Sequence, residues 1–164
     1  LGSPKAAREA VVHGEFAGIA EHEIDTRSLE VRNMTILVIE DSRLLRLAIE
    51  RILIKAGYSV TAVGDGQEGL CRARIVRPEI ILLDMMLPMI EGTEVLRQLK
   101  KDPCTKSIPV IVLSGLSQRN EKKLVAAGAA AYLEKSRLNL EKDGSGLVDA
   151  VKNVSTAYSA PANA

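Results

Sequence analysis

The chain has 164 residues, 46% of them hydrophobic and 26% charged, with a formal net charge of +1. That is the size of one soluble domain with extensions, and the charge balance argues against nucleic-acid and membrane partners alike. No run approaches the roughly 18 apolar residues of a membrane span, and no signal-like apolar stretch opens the chain, so a cytoplasmic protein is expected.

Leu1-Gly2-Ser3 reads as a tag scar, and residues 1–33 as an N-terminal extension or linker, charged and Ala-rich, with Gly14 and Gly18 breaking any long helix. His13 and His22 lie there with no carboxylate-rich loop around them, and read as surface residues. Regular patterning starts at Met34, and the domain is expected over 34–155, with 156–164 a disordered tail. One Phe, three Tyr and no Trp leave an aliphatic core as the only option.

Thr35-Ile36-Leu37-Val38-Ile39 is patterned as a buried strand that runs into Glu40-Asp41. Ser42 is placed to cap a helix whose apolar face is Leu45, Ala48, Ile49, Ile52 and Leu53, closed at Gly57. Ser59 to Val63 forms a second strand, followed by Gly64-Asp65-Gly66 and a helix that stops before Pro78. Ile80-Ile81-Leu82-Leu83-Asp84 is the most apolar strand, and Pro88 forces it to end near the carboxylate. Gly92 precedes a helix with Val95, Leu96 and Leu99 on one face, ended by Asp102-Pro103. Pro109 to Leu113 is a fourth strand ending at Ser114-Gly115, and its helix runs from about Gln118 to Ala127. Ala131-Tyr132-Leu133 is a short fifth strand leading to Glu134-Lys135, and a last helix spans Gly146 to about Ser155. Five β-α units in succession specify an α/β fold, a doubly wound five-stranded parallel sheet. Cys71 and Cys104 have no ligand-like spacing and read as free thiols, buried or half-exposed.

Every polar residue of interest falls at a strand end: Glu40 and Asp41, Asp84, Ser114 and Lys135. Parallel strands bring these to one edge, where open α/β sheets bind ligands. Alone, each has a plainer reading: Asp84 and Ser114 as turn residues, Lys135 as a solvated charge, Glu40-Asp41 as a helix-start pair. Together they put three repelling carboxylates beside a hydroxyl and an ammonium. Oxygen-only ligands of that kind suit Mg²⁺, and a Lys with a hydroxyl opposite the metal suits a phosphoryl group.

The same residues carry a resemblance. The acidic pair Glu40-Asp41, Asp84 with Leu87-Pro88 and Gly92, Ser114-Gly115, and Tyr132 three before Lys135 resemble the receiver domain of two-component response regulators. The resemblance implies a flavodoxin-like strand order 2-1-3-4-5. It implies Asp84 as phosphoacceptor, and Mg²⁺ held by Asp41 and Asp84, by Glu40 through water and by the Met86 backbone carbonyl. Ser114 and Lys135 would bind the phosphoryl oxygens, and Ser114 with Tyr132 would form the conformational switch. The implied partners are a sensor histidine kinase or phosphotransfer protein and a downstream protein, and the implied chemistry is limited to the protein's own phosphorylation and slow autodephosphorylation. Two variable positions flank the hydrolytic water in such domains; here they are Met86 and Leu116, whose apolar side chains imply slow decay.

Three departures stand out. Ser136 replaces the usual Pro, which predicts a trans Lys135–Ser136 bond and a looser Lys135. Glu91 stands where Asp or Asn is usual, and Arg137 to Ser145 is longer than the usual connection. A phosphatase with an aspartyl nucleophile would need a second Asp close to Asp84, and Met85-Met86 offers none. The alternative retained is a degenerate receiver that acts only as an interaction scaffold.

Overall fold

The computed structural model describes residues 34–115 and 121–159. The N-terminal extension with its two histidines, Leu116, and residues 160–164 lie outside them. Five strands alternate with helices: β1 (Thr35–Ile39), α1 (Arg43–Lys55), β2 (Ser59–Val63), α2 (Gly66–Val76), β3 (Ile80–Asp84), α3 (Gly92–Lys101), β4 (Val110–Ser114), α4 (Glu121–Ala126), β5 (Ala131–Glu134) and α5 (Ser145–Ser159). The strands form one sheet in the order β2-β1-β3-β4-β5, every pair parallel, as expected.

Position in the sheet follows apolar content. All five residues of β3 and of β4 are buried, and β1 is buried from Ile36 onward. The edge strands β2 and β5 carry smaller and polar residues and are mostly half-exposed. Alternate residues of each strand feed two separate core layers. Leu37, Ile39, Ile81, Leu83 and Val112 pack with α2, α3 and α4 through Leu70, Val95, Leu96, Leu99 and Leu124. Ile36, Val38, Ile80, Leu82, Ile111 and Leu113 pack with α1 and α5 through Ile49, Leu53, Leu147, Val151 and Val154. Each fully buried Leu or Ile here stabilises the fold by about 1.5–3 kcal/mol.

The alternation determines which side chains meet at the carboxyl edge. Glu40 is two residues past Val38, Asp84 two past Leu82, and Lys135 two past Leu133, and those three apolar residues all belong to the α1/α5 layer. Ser114 and Tyr132 have the opposite parity, that of Val112 and the α2/α3/α4 layer, against which Tyr132 packs half-buried.

The expected helix starts hold. Ser42 caps α1 by accepting from Leu45 N at 3.4 Å, and Asp65 caps α2 by accepting from Glu68 N at 2.7 Å. The face of α3 made by Val95, Leu96 and Leu99 is buried. Three expectations need correction. Helix α5 continues through Thr156 to Ser159 instead of ending near Ser155. No Gly or Pro interrupts it there, and the Thr156 hydroxyl donates back to Lys152 O at 2.9 Å, so that part of the expected tail is helical. Cys71 and Cys104 are free but exposed, one on the outer face of α2 and one in the connection after α3. The third is Lys135, described below.

Candidate functional site

Asp84 is the last residue of the central strand and is 1% exposed, while Glu40, one residue past β1, is fully buried. Such burial isolates a carboxylate from water and is tolerated only with a counter-charge. Lys135 supplies it from beyond β5: its Nζ lies 2.9 Å from Glu40 Oε2 and 3.0 Å from Asp84 Oδ1. Glu40 Oε1 accepts from the Ser42 backbone at 3.1 Å. Burial pushes the Glu40 carboxyl above the ordinary glutamate value; the Asp84 charge adds to the rise, and Lys135 and the Ser42 amide oppose it. Burial works against the Lys135 ammonium as well, yet Glu40 and Asp84 outweigh it and its pKa rises.

Asp41, the next residue, is exposed. One carboxylate oxygen from each of Glu40, Asp41 and Asp84 lies within 4.8 Å of the other two. Two buried carboxylates and one open to solvent form an oxygen-only donor set. That set fits Mg²⁺, which binds through one or two carboxylates and keeps several waters. Asp84 Oδ1 also accepts from Met86 N at 3.3 Å, which fixes the start of the next loop against the end of β3. Among the described residues, Oδ2 is the Asp84 oxygen with no hydrogen bond.

Gly92 closes the floor of the site. Its N–H donates to Met85 O at 3.2 Å, and a Cβ there would stand 2.2 Å from Asp84 O. Only a residue without a side chain lets α3 start against the end of β3. Ser114 is 6% exposed at the end of β4, with Leu113 in register with Asp84. Lys135 begins a 3-10 turn over Lys135–Arg137, in which Leu138 N donates to Lys135 O at 3.3 Å and the Leu138 side chain is fully buried.

There is no cis peptide among the described residues, so the Lys135–Ser136 bond is trans, as Ser136 predicts. The expected looseness of Lys135 is not what the contacts show. Two carboxylates hold its ammonium, and a core-anchored turn holds its backbone. Behind that turn, a Cβ on Gly146 would stand 2.2 Å from Arg137 O, and Asn139 adopts a left-handed φ of 53°. The long connection is therefore folded into a fixed shape between the turn and α5.

Arg46 was not singled out from the sequence. Its guanidinium donates to Glu40 O at 2.6 Å and to Asp41 O at 3.2 Å, so it orients both members of the acidic pair through their backbone. The available signal was a helix start with no acid in its first turn and arginines there instead, against the dipole preference. Leu116 lies outside the described residues.

These features define a doubly wound α/β protein whose acidic pocket, crossed by one lysine, stands at the carboxyl end of the central strand. Residues 36–142, more than half of the chain, match the model of the response regulator receiver domain, and the protein belongs to that family. The gliding motility regulatory protein of Myxococcus xanthus is 36% identical over 118 residues, covering 71% of this chain and 15% of that protein. Response regulator MprA of Mycobacterium avium is 38% identical over 103 residues, covering 62% of this chain and 44% of MprA. The chain thus spans less than half the length of these relatives. The receiver domain of Francisella response regulator 1452 is 26% identical with a TM-score of 0.68, covering 76% of this chain and 98% of that domain. No helix among the described residues is long and apolar enough to cross a membrane.

Proposed function

We propose that this receiver domain accepts a phosphoryl group on Asp84 from the phosphohistidine of a partner sensor kinase or phosphotransfer protein, and signals through a downstream protein. The observation that carries this reading is the placement of Asp84: 1% exposed, its Oδ1 engaged by Lys135 and Met86 N, its Oδ2 without a hydrogen bond from any of the described residues. Oδ2 is then the oxygen that attacks phosphorus. The new O–P bond forms as the N–P bond to the donor imidazole breaks, and the freed ring nitrogen takes up a proton from solvent.

Transfer between two anions is limited by their repulsion, so most of the catalysis available here is charge neutralisation and positioning. Asp41 and Asp84 would hold Mg²⁺ directly, with Glu40 acting through water and the Met86 carbonyl completing the set; the ion supplies positive charge to the phosphoryl oxygens. Lys135, already at the acceptor, would follow one phosphoryl oxygen, and the Ser114 hydroxyl would donate to another. Tyr132, on the same layer as Ser114, would repack once that hydroxyl moves, changing the surface read by the partner. In this reading the protein turns over no other substrate.

The test is phosphorylation by acetyl phosphate with Mg²⁺, read by gel shift and peptide mass spectrometry, together with beryllofluoride binding followed by NMR. Label on the Asp84 peptide, lost in Asp84→Asn and in the presence of chelator, is the expected result. A protein that takes neither phosphate nor beryllofluoride would be an interaction scaffold instead.

A further inference from the structure

Three of the chain's four methionines, Met85, Met86 and Met89, stand within five residues of Asp84. Methionine ordinarily fills irregular gaps in a core. Met85 does so, half-buried against the α2/α3/α4 layer. Met86 and Met89 do not: they are 69% and 99% exposed. Two thioethers are thus presented to solvent in the loop that follows Asp84. Of these, Met86 is the one tied to the acceptor, because its own backbone N–H donates to Asp84 Oδ1 at 3.3 Å.

We propose that Met86 is a peroxide-sensitive modification site, and that its sulfoxide shortens the lifetime of the phosphate on Asp84. The inference rests on Asp84 being the acceptor. In the modification step the Met86 sulfur attacks one peroxide oxygen and the O–O bond breaks. That oxygen is retained as the sulfoxide and the other leaves as water. Sulfur loses two electrons and hydrogen peroxide gains them. An exposed thioether is the form of methionine most open to this reaction, and the product is reversible by methionine sulfoxide reductases.

The consequence follows from what the side chain can do before and after. A thioether two residues along from the acyl phosphate is apolar bulk and a poor partner for water. A sulfoxide oxygen is a strong acceptor on the same stem. It can hold a water beside the phosphorus, where hydrolysis requires one in line with the O–P bond to Asp84 that breaks. The modification adds no charge, so metal and phosphoryl binding keep their electrostatics while the barrier to water falls. Peroxide would then act as a reset signal for this receiver.

Cys71 and Cys104 are exposed and react with peroxide too, so the experiment uses the Cys71→Ser, Cys104→Ser chain. The protein is treated with hydrogen peroxide, mapped by peptide mass spectrometry, phosphorylated with acetyl phosphate and Mg²⁺, and freed of donor; phosphate loss is then timed. The expected result is one added oxygen on Met86 and decay at least about threefold faster, a change of about 0.65 kcal/mol in barrier. Treatment with sulfoxide reductase restores the original lifetime. Met89→Leu keeps the peroxide response, Met86→Leu loses it, and Met86→Gln decays fast without peroxide. Unchanged decay with Met86 oxidised, acceleration that survives in Met86→Leu, or a Met86 that resists oxidation would each overturn the proposal. Failure of the acceptor reading looks different: no phosphate appears even on untreated protein, or Asp84→Asn is labelled equally. The inference then falls with the reading.

Discussion

The two sides of the acidic pocket are built on opposite terms. On the side toward α1 and α5, Glu40, Asp84 and Lys135 are closed in, mutually paired, and connected to the core two residues back along each strand. On the other side, Asp41 and Met86 are open to solvent, and among the described residues their positions are fixed through the backbone: Arg46 on the Asp41 carbonyl, and Asp84 on the Met86 amide. The closed side carries stability and holds the proposed acceptor. The open side would, in the proposed function, exchange water, metal and phosphate without disturbing the fold. One site can be both firmly placed and accessible because these duties fall on different residues.

The sharpest way to break this contrast is to remove the lysine. Lys135→Met leaves two buried carboxylates facing each other, and a loss of about 3–5 kcal/mol is expected in urea denaturation at neutral pH. The remaining stability should depend on acidity in metal-free buffer. Glu40 already binds its proton more tightly folded than unfolded, so between those two pKa values the native state carries the extra proton and stability rises as pH falls. Loss of Lys135 extends that window upward. A variant as stable as the parent, with no such pH response, would show that the closed side is not held by charge pairing.

Gly92→Ala tests the floor under the closed side. With a Cβ 2.2 Å from Asp84 O, the start of α3 or the end of β3 has to shift, at a cost of about 1–3 kcal/mol. Phosphorylation should slow as well, because the acceptor moves; calorimetry and acetyl phosphate kinetics measure the two effects separately.

Arg46→Met removes the donors to the Glu40 and Asp41 carbonyls while keeping the aliphatic stem. About 1–2 kcal/mol is expected from thermal melts, with weaker Mg²⁺ binding.

The smallest stability effect belongs to the open side. Asp41→Asn should change metal-free stability by no more than about 0.5 kcal/mol, since the residue is exposed. It should nonetheless abolish the stabilisation by Mg²⁺, which in the parent is expected to reach about 2.7 kcal/mol at a hundredfold excess over Kd. Undiminished Mg²⁺ stabilisation in this variant would remove Asp41 from the donor set.

The strands and the residues at their ends were legible because burial on both faces leaves an unmistakable apolar run, and a parallel sheet puts all its carboxyl ends on one edge. The meeting of Glu40 with Asp84 follows from that rule alone. What escaped were contacts whose partners are backbone atoms. Arg46 works through two carbonyls, and a carbonyl leaves no mark in an amino-acid sequence. Lys135 was misjudged for a related reason. Its firmness was read from the residue after it, whereas Leu138, Asn139 and Gly146 set it through a folded connection. The end of α5 lies beyond its last apolar repeat because, with no breaker present, a helix outlasts the pattern that buries it.

That folded connection has a mechanical consequence. Lys135 O accepts from Leu138 N, Leu138 is locked among core side chains, and a Cβ on Gly144 would meet Ile52 of α1 at 2.4 Å. The lysine, the connection, α1 and the start of α5 are therefore in continuous contact, with little slack to absorb a displacement. When charge in the pocket changes and the ammonium shifts, whatever part of the shift its four-carbon stem does not absorb passes into the turn and on toward α1 and α5 instead of dissipating in a loose loop. The residue that balances charge in the pocket is thus also the short end of a lever, with two helices for its long arm.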